Sequence, residues 1–210
     1  MDIICLDMEG VLTPEMWIVV AERTGTDELR LTTRDISDYD QLMRHRIEVL
    51  KRERITLPDI QRCIRDVEPL AGARAFLDAL RKRSRVVLLS DTFIQFVGPI
   101  ISRLGYPLLL CNELVTDAEG MVVDYRLRQA NGKRRAVEAF RDLNLRVLAV
   151  GDSFNDIAML RAAHQGFLFQ PSKTVSDAHP DLARADDYDD LLEALASAAD
   201  RPVAPEAADG

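Results

Sequence analysis

Ile3-Ile4-Cys5-Leu6-Asp7-Met8-Glu9-Gly10-Val11-Leu12-Thr13 joins an unbroken apolar run to two acids and a glycine. An uninterrupted run of strand length suits a parallel strand buried on both faces. The acids then fall at its carboxyl end, where open α/β sheets bind ligands. Working outward, the same format recurs. Apolar runs stand at 86–89, 108–111, 147–150 and 167–169. Between them, Ala73, Phe76, Leu77 and Leu80 trace a helical face, as do Phe93, Phe96, Val97, Ile100, Ile101 and Leu104. Val137 with Phe140, and Ile157 with Leu160, suggest two more helices. Strands alternating with helices predict an α/β domain with a parallel sheet.

One interval breaks this rhythm. Between Thr13 and Leu70 there is a single apolar run, 16–21, and Pro14-Glu15 before it reads as a helix start. Met43, Ile47 and Leu50, then Leu57, Ile60, Ile64 and Val67, have helical spacing. The interval is far longer than one crossover helix needs. The reading is a helical insertion at 14–69 within an α/β core of 1–13 and 70–198. A two-strand excursion is expected at 113–116 and 121–127, turning at 117–120. The end, 199–210, is rich in Ala, Pro and Asp and is expected to fray.

Composition excludes several classes of function. Of 210 residues, 47% are hydrophobic and 30% charged, as in a globular chain rather than a disordered one. No segment is long and apolar enough for a membrane span. The net charge of −8 argues against nucleic acid as a partner. All of that excess lies from Asp152 onward, and mostly reads as solvated surface. The stretch 126–135 carries five bases and no acid, beside Lys133. Three cysteines are too few for a disulfide framework, and Cys5 and Cys111 read as buried thiols. Met1-Asp2-Ile3 carries no basic leader, so a reducing cytoplasm is the expected compartment. His45, His164 and His179 lack metal-like spacing and read as solvent-facing or capping. Met16 and Trp17 are expected to pack at the entrance of the insertion or in the core.

The chemistry follows the apolar runs. After the first come Asp7 and Glu9, after the second Ser90-Asp91-Thr92, and after the fourth Gly151-Asp152-Ser153-Phe154-Asn155-Asp156. Lys133 opens a predicted helix. One such Asp alone reads as a helix cap; the set together reads as phosphate chemistry. Clustered carboxylates repel one another and need a cation, and hard oxygen ligands select Mg²⁺. A carboxylate can attack phosphorus, while lysine and serine hold the transferring oxygens.

At these residues the sequence resembles the haloacid-dehalogenase-like phosphatase superfamily. Its first motif, Asp-x-Asp-x-Thr/Val, reads here Asp7-Met8-Glu9-Gly10-Val11. Its second is Ser90, its third Lys133, and its fourth, Gly-Asp-x-x-x-Asp, spans 151–156. The resemblance implies a Rossmann-like sheet with a helical cap inserted after the first strand. It also implies Asp7 as nucleophile and Ser90 and Lys133 on the phosphoryl oxygens. Mg²⁺ would be held by Asp7, Asp152 and the carbonyl of Glu9, with Asp156 behind it.

The run 151–160 narrows this to the phosphoserine phosphatase group. That group implies Glu15 for the substrate ammonium and Arg46, among Arg44, Lys51, Arg52 and Arg54, for its carboxylate. Asn155 is placed at the phosphate or as a cap for polar atoms. The substrate would be phosphoserine, in serine and threonine biosynthesis, and a homodimer is left open. Glu9 stands where that group has Asp, as the general acid and base. In this it resembles members that also pass the phosphoryl group to homoserine. Asp91-Thr92 replaces the expected glycine-rich turn, and Asp91 is expected to point away and cap the helix from Phe93.

Two rivals are weaker. A phosphoacceptor signalling domain uses similar groups, but explains neither the acidic turn after the lysine nor the insertion. A nucleotide-binding enzyme lacks support, since no Gly-x-Gly occurs. A phosphatase of the same superfamily for another small phosphomonoester stays open.

Overall fold

In the computed structural model, which describes residues 1–33, 35–36 and 38–199, the first apolar run forms β1 (Asp2–Leu6). Three helices follow, α1 (Met16–Thr24), α2 (Tyr39–Arg52) and α3 (Leu57–Ile64), with a 3₁₀ turn at Asp27–Arg30. Next come α4 (Ala73–Arg81), β2 (Arg85–Phe93), α5 (Ile94–Arg103), β3 (Leu108–Thr116), β4 (Val122–Arg126) and α6 (Gly132–Asp142). The chain continues through β5 (Arg146–Gly151), α7 (Ile157–Ala162), β6 (Gln165–Phe169), α8 (Lys173–Ala178), β7 (Ala183–Ala185) and α9 (Tyr188–Ala199).

Among the described residues the strands form one Rossmann-like sheet, ordered β4-β3-β2-β1-β5-β6-β7. All neighbours pair in parallel except β3 and β4. β1 is therefore central, flanked by β2 and β5, and three acid-bearing ends lie side by side. Because side chains alternate across a strand, successive residues of β1 feed two cores. Ile4 and Leu6 pack with Leu88, Phe76, Phe96 and Leu191. Ile3 and Cys5 pack with Val87, Val137, Met159 and Leu160 under α6 and α7. Burial pushes the Cys5 thiol up to about 12.

The helices after β1 have legible local causes. The Asp38 carboxylate caps α2 by accepting from the Gln41 amide at 2.9 Å. Thr56 and Asp59 form a reciprocal capping box on α3, and Pro58 stands in its first turn. Val67 lies beyond the end of α3, though it is buried. The excursion differs from expectation: 108–111 and 113–116 are one strand. Its first half pairs in parallel with β2 and its second half antiparallel with β4. The turn at 117–120 forms as expected, with Asp117 accepting from Gly120 at 3.1 Å. Cys111 is half-buried rather than buried. The expected tail lies outside the described residues, apart from Ala199, which ends α9.

The last helix reaches back to the first loop. The Tyr188 ring stacks on Phe76 and on Phe169, with 4.8 Å between centroids in each case. Its hydroxyl donates to the Val11 carbonyl at 2.7 Å. Tyr188→Phe, which keeps the stack and removes this bond, is expected to cost about 1 kcal/mol. Tyr188→Ala should cost about 3–5 kcal/mol. Urea denaturation of both variants measures the difference.

Candidate active site

The loop after β1 is held tightly. The Asp7 amide donates to Val150 on β5 at 2.9 Å, and Leu12 and Thr13 donate to Met8. The Met8 amide donates to Asp7 Oδ1 at 2.7 Å. Gly10 sits at φ +81°, and a Cβ there would lie 2.5 Å from the Asp152 carboxyl carbon. Glycine thus meets both the backbone conformation and the approach of Asp152. The half-buried Glu9 directs its carboxylate toward α1, where Oε2 accepts from the Met16 amide at 3.1 Å. Burial, and next the charge of Glu15, push the Glu9 carboxyl up to about 8.

β2 loses its regular pairing with β3 between Leu89 and Phe93. This irregularity turns residues 90–92 at the strand end, a common way to re-aim side chains. Ser90 is buried at the cavity wall, its Oγ accepting from the Thr92 amide at 3.2 Å. Asp91 corrects the expectation. It does not cap α5, whose N-cap is Phe93 without a side-chain bond. Instead its Oδ2 lies 3.5 Å from Lys133 Nζ and accepts from Asn155 Nδ2 at 3.2 Å. Its carbonyl accepts from Tyr39 Oη at 3.1 Å and Asn112 Nδ2 at 3.2 Å.

Lys133 projects from the first turn of α6. Its Nζ stands 2.9 Å from Asp7 Oδ1 and 2.7 Å from Asp156 Oδ1, and all three side chains are buried. Burial opposes the lysine charge, but Asp156, Asp7 and Asp91 outweigh it and hold its pKa well above the ordinary value. Burial and Asp156 push Asp7 well above the usual carboxylate range, and Lys133 offsets part of this.

After β5 the chain makes a 3₁₀ turn (Phe154–Asp156) closed by a Ser153–Asp156 capping box. Asp156 Oδ2 accepts from the Asp152 and Ser153 amides at 3.0 and 3.2 Å. Carboxylate oxygens of Asp7, Asp152 and Asp156 lie within 4.8 Å of one another. Three buried hard-oxygen donors so close together fit a small divalent cation. Both Asp156 oxygens are already engaged, so Asp7 and Asp152 are the better direct ligands. The Glu9 carboxylate lies outside this trio, which leaves only its backbone carbonyl for the expected ligand role.

A cavity of about 80 Å³ joins Asp7, Glu9, Ser90 and Lys133 to Glu15, Arg46 and Asn155. Arg46 is buried, whereas Arg44, Lys51, Arg52 and Arg54 are exposed. Its guanidinium lies 4.7 Å over the Trp17 ring, and Nη2 donates to the Leu31 carbonyl at 2.7 Å. Burial pushes its pKa down to about 10, still cationic at neutral pH. Its buried Nε finds no acceptor among the described residues. Buried donors in folded proteins are ordinarily paired, so this one points to a ligand. Tyr39, Thr92 and Asn112 were not singled out as site residues from sequence. A lone Asn in an apolar strand was the available signal for Asn112.

The chain is 47% identical over 203 residues to phosphoserine phosphatase ThrH of Pseudomonas aeruginosa, covering 97% of this chain and 99% of that protein. It is 46% identical over 202 residues to a phosphoserine phosphatase of Pseudomonas syringae pv. tomato, covering 96% and 85% respectively. Its fold resembles that of a phosphoserine phosphatase crystal structure in apo form. The TM-score there is 0.76 at 22% identity, over 91% of this chain and 98% of that one. A model of the haloacid dehalogenase-like hydrolase family matches residues 1–164, and the chain belongs to that family.

Proposed function

We propose that the enzyme is a Mg²⁺-dependent phosphoserine phosphatase of the cytoplasm that works through an aspartyl-phosphate on Asp7. One observation carries the choice of substrate. The cavity holds Ser90 and Lys133 for a phosphoryl group, with Glu15 and the partly unsatisfied Arg46 for an ammonium and a carboxylate. The names of the two relatives support the same substrate.

Asp7 and Asp152, with the Glu9 carbonyl, would hold Mg²⁺, and Asp156 would brace the site from behind. When bound, the ion offsets negative charge on the phosphoryl oxygens. An Asp7 oxygen attacks phosphorus as the bond to the seryl oxygen breaks. The neutral Glu9 carboxyl gives its proton to that oxygen, a role matched to a pKa of about 8. Glu9 then takes a proton from water attacking the phosphorus, and Asp7 is freed. Helices α1 to α3 act as a cap that excludes bulk water. We also propose homoserine as a second acceptor, its hydroxyl taking the place of water.

Phosphoserine with Mg²⁺ should yield phosphate, and added homoserine should yield phosphohomoserine. No turnover of phosphoserine sinks the substrate assignment; turnover without phosphohomoserine leaves a plain phosphatase. Asp7→Asn should lower kcat by about 10³-fold or more, and abolish a base-labile phosphoenzyme.

Arg46→Ala should raise KM for phosphoserine about 10- to 100-fold, with little effect on p-nitrophenyl phosphate, which lacks the carboxylate. Equal effects on both substrates would contradict the assigned role.

Glu9 also links stability to pH. Its folded pKa is about 8 against an ordinary 4.5. Its contribution is therefore full below 4.5 and is lost as pH rises to about 8, at up to ~1.4 kcal/mol per pH unit. Glu9→Gln removes this slope. In metal-free buffer its Tm relative to wild type should rise steadily from pH 5 to pH 8.

A further inference from the structure

Lys133 has three N–H donors. Asp7 Oδ1 at 2.9 Å and Asp156 Oδ1 at 2.7 Å take two of them at hydrogen-bond distance. Its third neighbour, Asp91 Oδ2 at 3.5 Å, is beyond a good hydrogen bond. The donor on that side is thus available to a phosphoryl oxygen. Any phosphate it holds must then lie beside the Asp91 carboxylate.

That carboxylate is firmly placed. Asn155 donates to it at 3.2 Å. Tyr39 on α2 and Asn112 on β3 hold its own carbonyl. It also lies on the wall shared by the catalytic cavity and a second cavity of about 580 Å³, lined by Leu127, Asn131 and Phe154. The Asp91 side chain is 42% exposed and forms no tight ion pair with Lys133.

We propose that Asp91 is a charge that drives inorganic phosphate out of the site. Its carboxylate repels the anion that Ser90 and Lys133 have gripped. A phosphomonoester carrying an ammonium and a carboxylate offsets this repulsion through Glu15 and Arg46. Bare phosphate, which has neither handle, cannot. The charge weakens every phosphate complex alike, and the product, with no second contact to retain it, is the one that leaves and clears the site for the next turnover. The inference rests on the phosphatase reading, but measuring phosphate affinity requires no turnover of phosphoserine.

The test is calorimetric titration of the full chain, with Mg²⁺ present, by inorganic phosphate. Asp91→Asn keeps an acceptor for Asn155 and removes the charge. It should bind phosphate about tenfold more tightly than wild type. Asp91→Ala should do the same, and Asp91→Glu should not. In steady-state assays on p-nitrophenyl phosphate, Asp91→Asn should show product inhibition at about tenfold lower phosphate. Unchanged or weaker phosphate binding in both neutral variants would overturn the proposal. So would tightening in Asp91→Ala alone, which points to the lost Asn155 contact rather than to charge. Hydrolysis of p-nitrophenyl phosphate but not of phosphoserine would overturn the substrate reading while leaving this test intact.

Discussion

The Lys133 ammonium and the carboxylates around it set the terms for the rest of the structure. A cation and two acids removed from water are stable only together, because each alone would carry a desolvation cost of several kcal/mol. Lys133 comes from α6, Asp7 from the end of β1, Asp156 from the turn after β5 and Asp91 from the bulged end of β2. Close ion pairs therefore tie three of these segments to one edge of the sheet, with Asp91 at the rim of the cluster. The strand order makes this possible, since β2, β1 and β5 are neighbours. Two glycines make it fit. A Cβ at Gly10 would strike Asp152, and one at Gly151 would lie 2.4 Å from the Cβ of Asp156.

The helices between β1 and α4 add groups of a different kind. The sheet edge supplies oxygen ligands and a single ammonium, suited to a phosphoryl group. The helical side supplies Arg46, braced against Trp17, and Glu15 at the entry to α1. Glu9 stands between these halves. Its longer side chain reaches the Met16 amide, and burial beside Glu15 favours its neutral form. An acid that is neutral at neutral pH can protonate a departing alkoxide oxygen.

The sheet and its reactive edge were legible because the signals were local. Uninterrupted apolar runs marked β1, β2, β5 and β6, and the residues just after three of them reached the site. Arg46 could not be separated from its basic neighbours by pattern alone, since what distinguishes it is burial over an aromatic ring. Asp91 was misread for a related reason. Its direction depends on the irregular pairing of β2 with β3 and on Tyr39 and Asn112, contacts spanning 52 and 21 residues. The short α8 and the three-residue β7 offered too little periodicity to read.

The bond from Tyr188 to Val11 spans 177 residues. The reactive loop is synthesised well before its clasp. A nascent chain can pair β1 with β2 long before residues 188–199 emerge, yet its loop lacks this anchor until α9 docks. Closing so long a contact carries a larger loop-closure entropy cost than a short-range one. A chain that stops before residue 188 would carry the motif without this support.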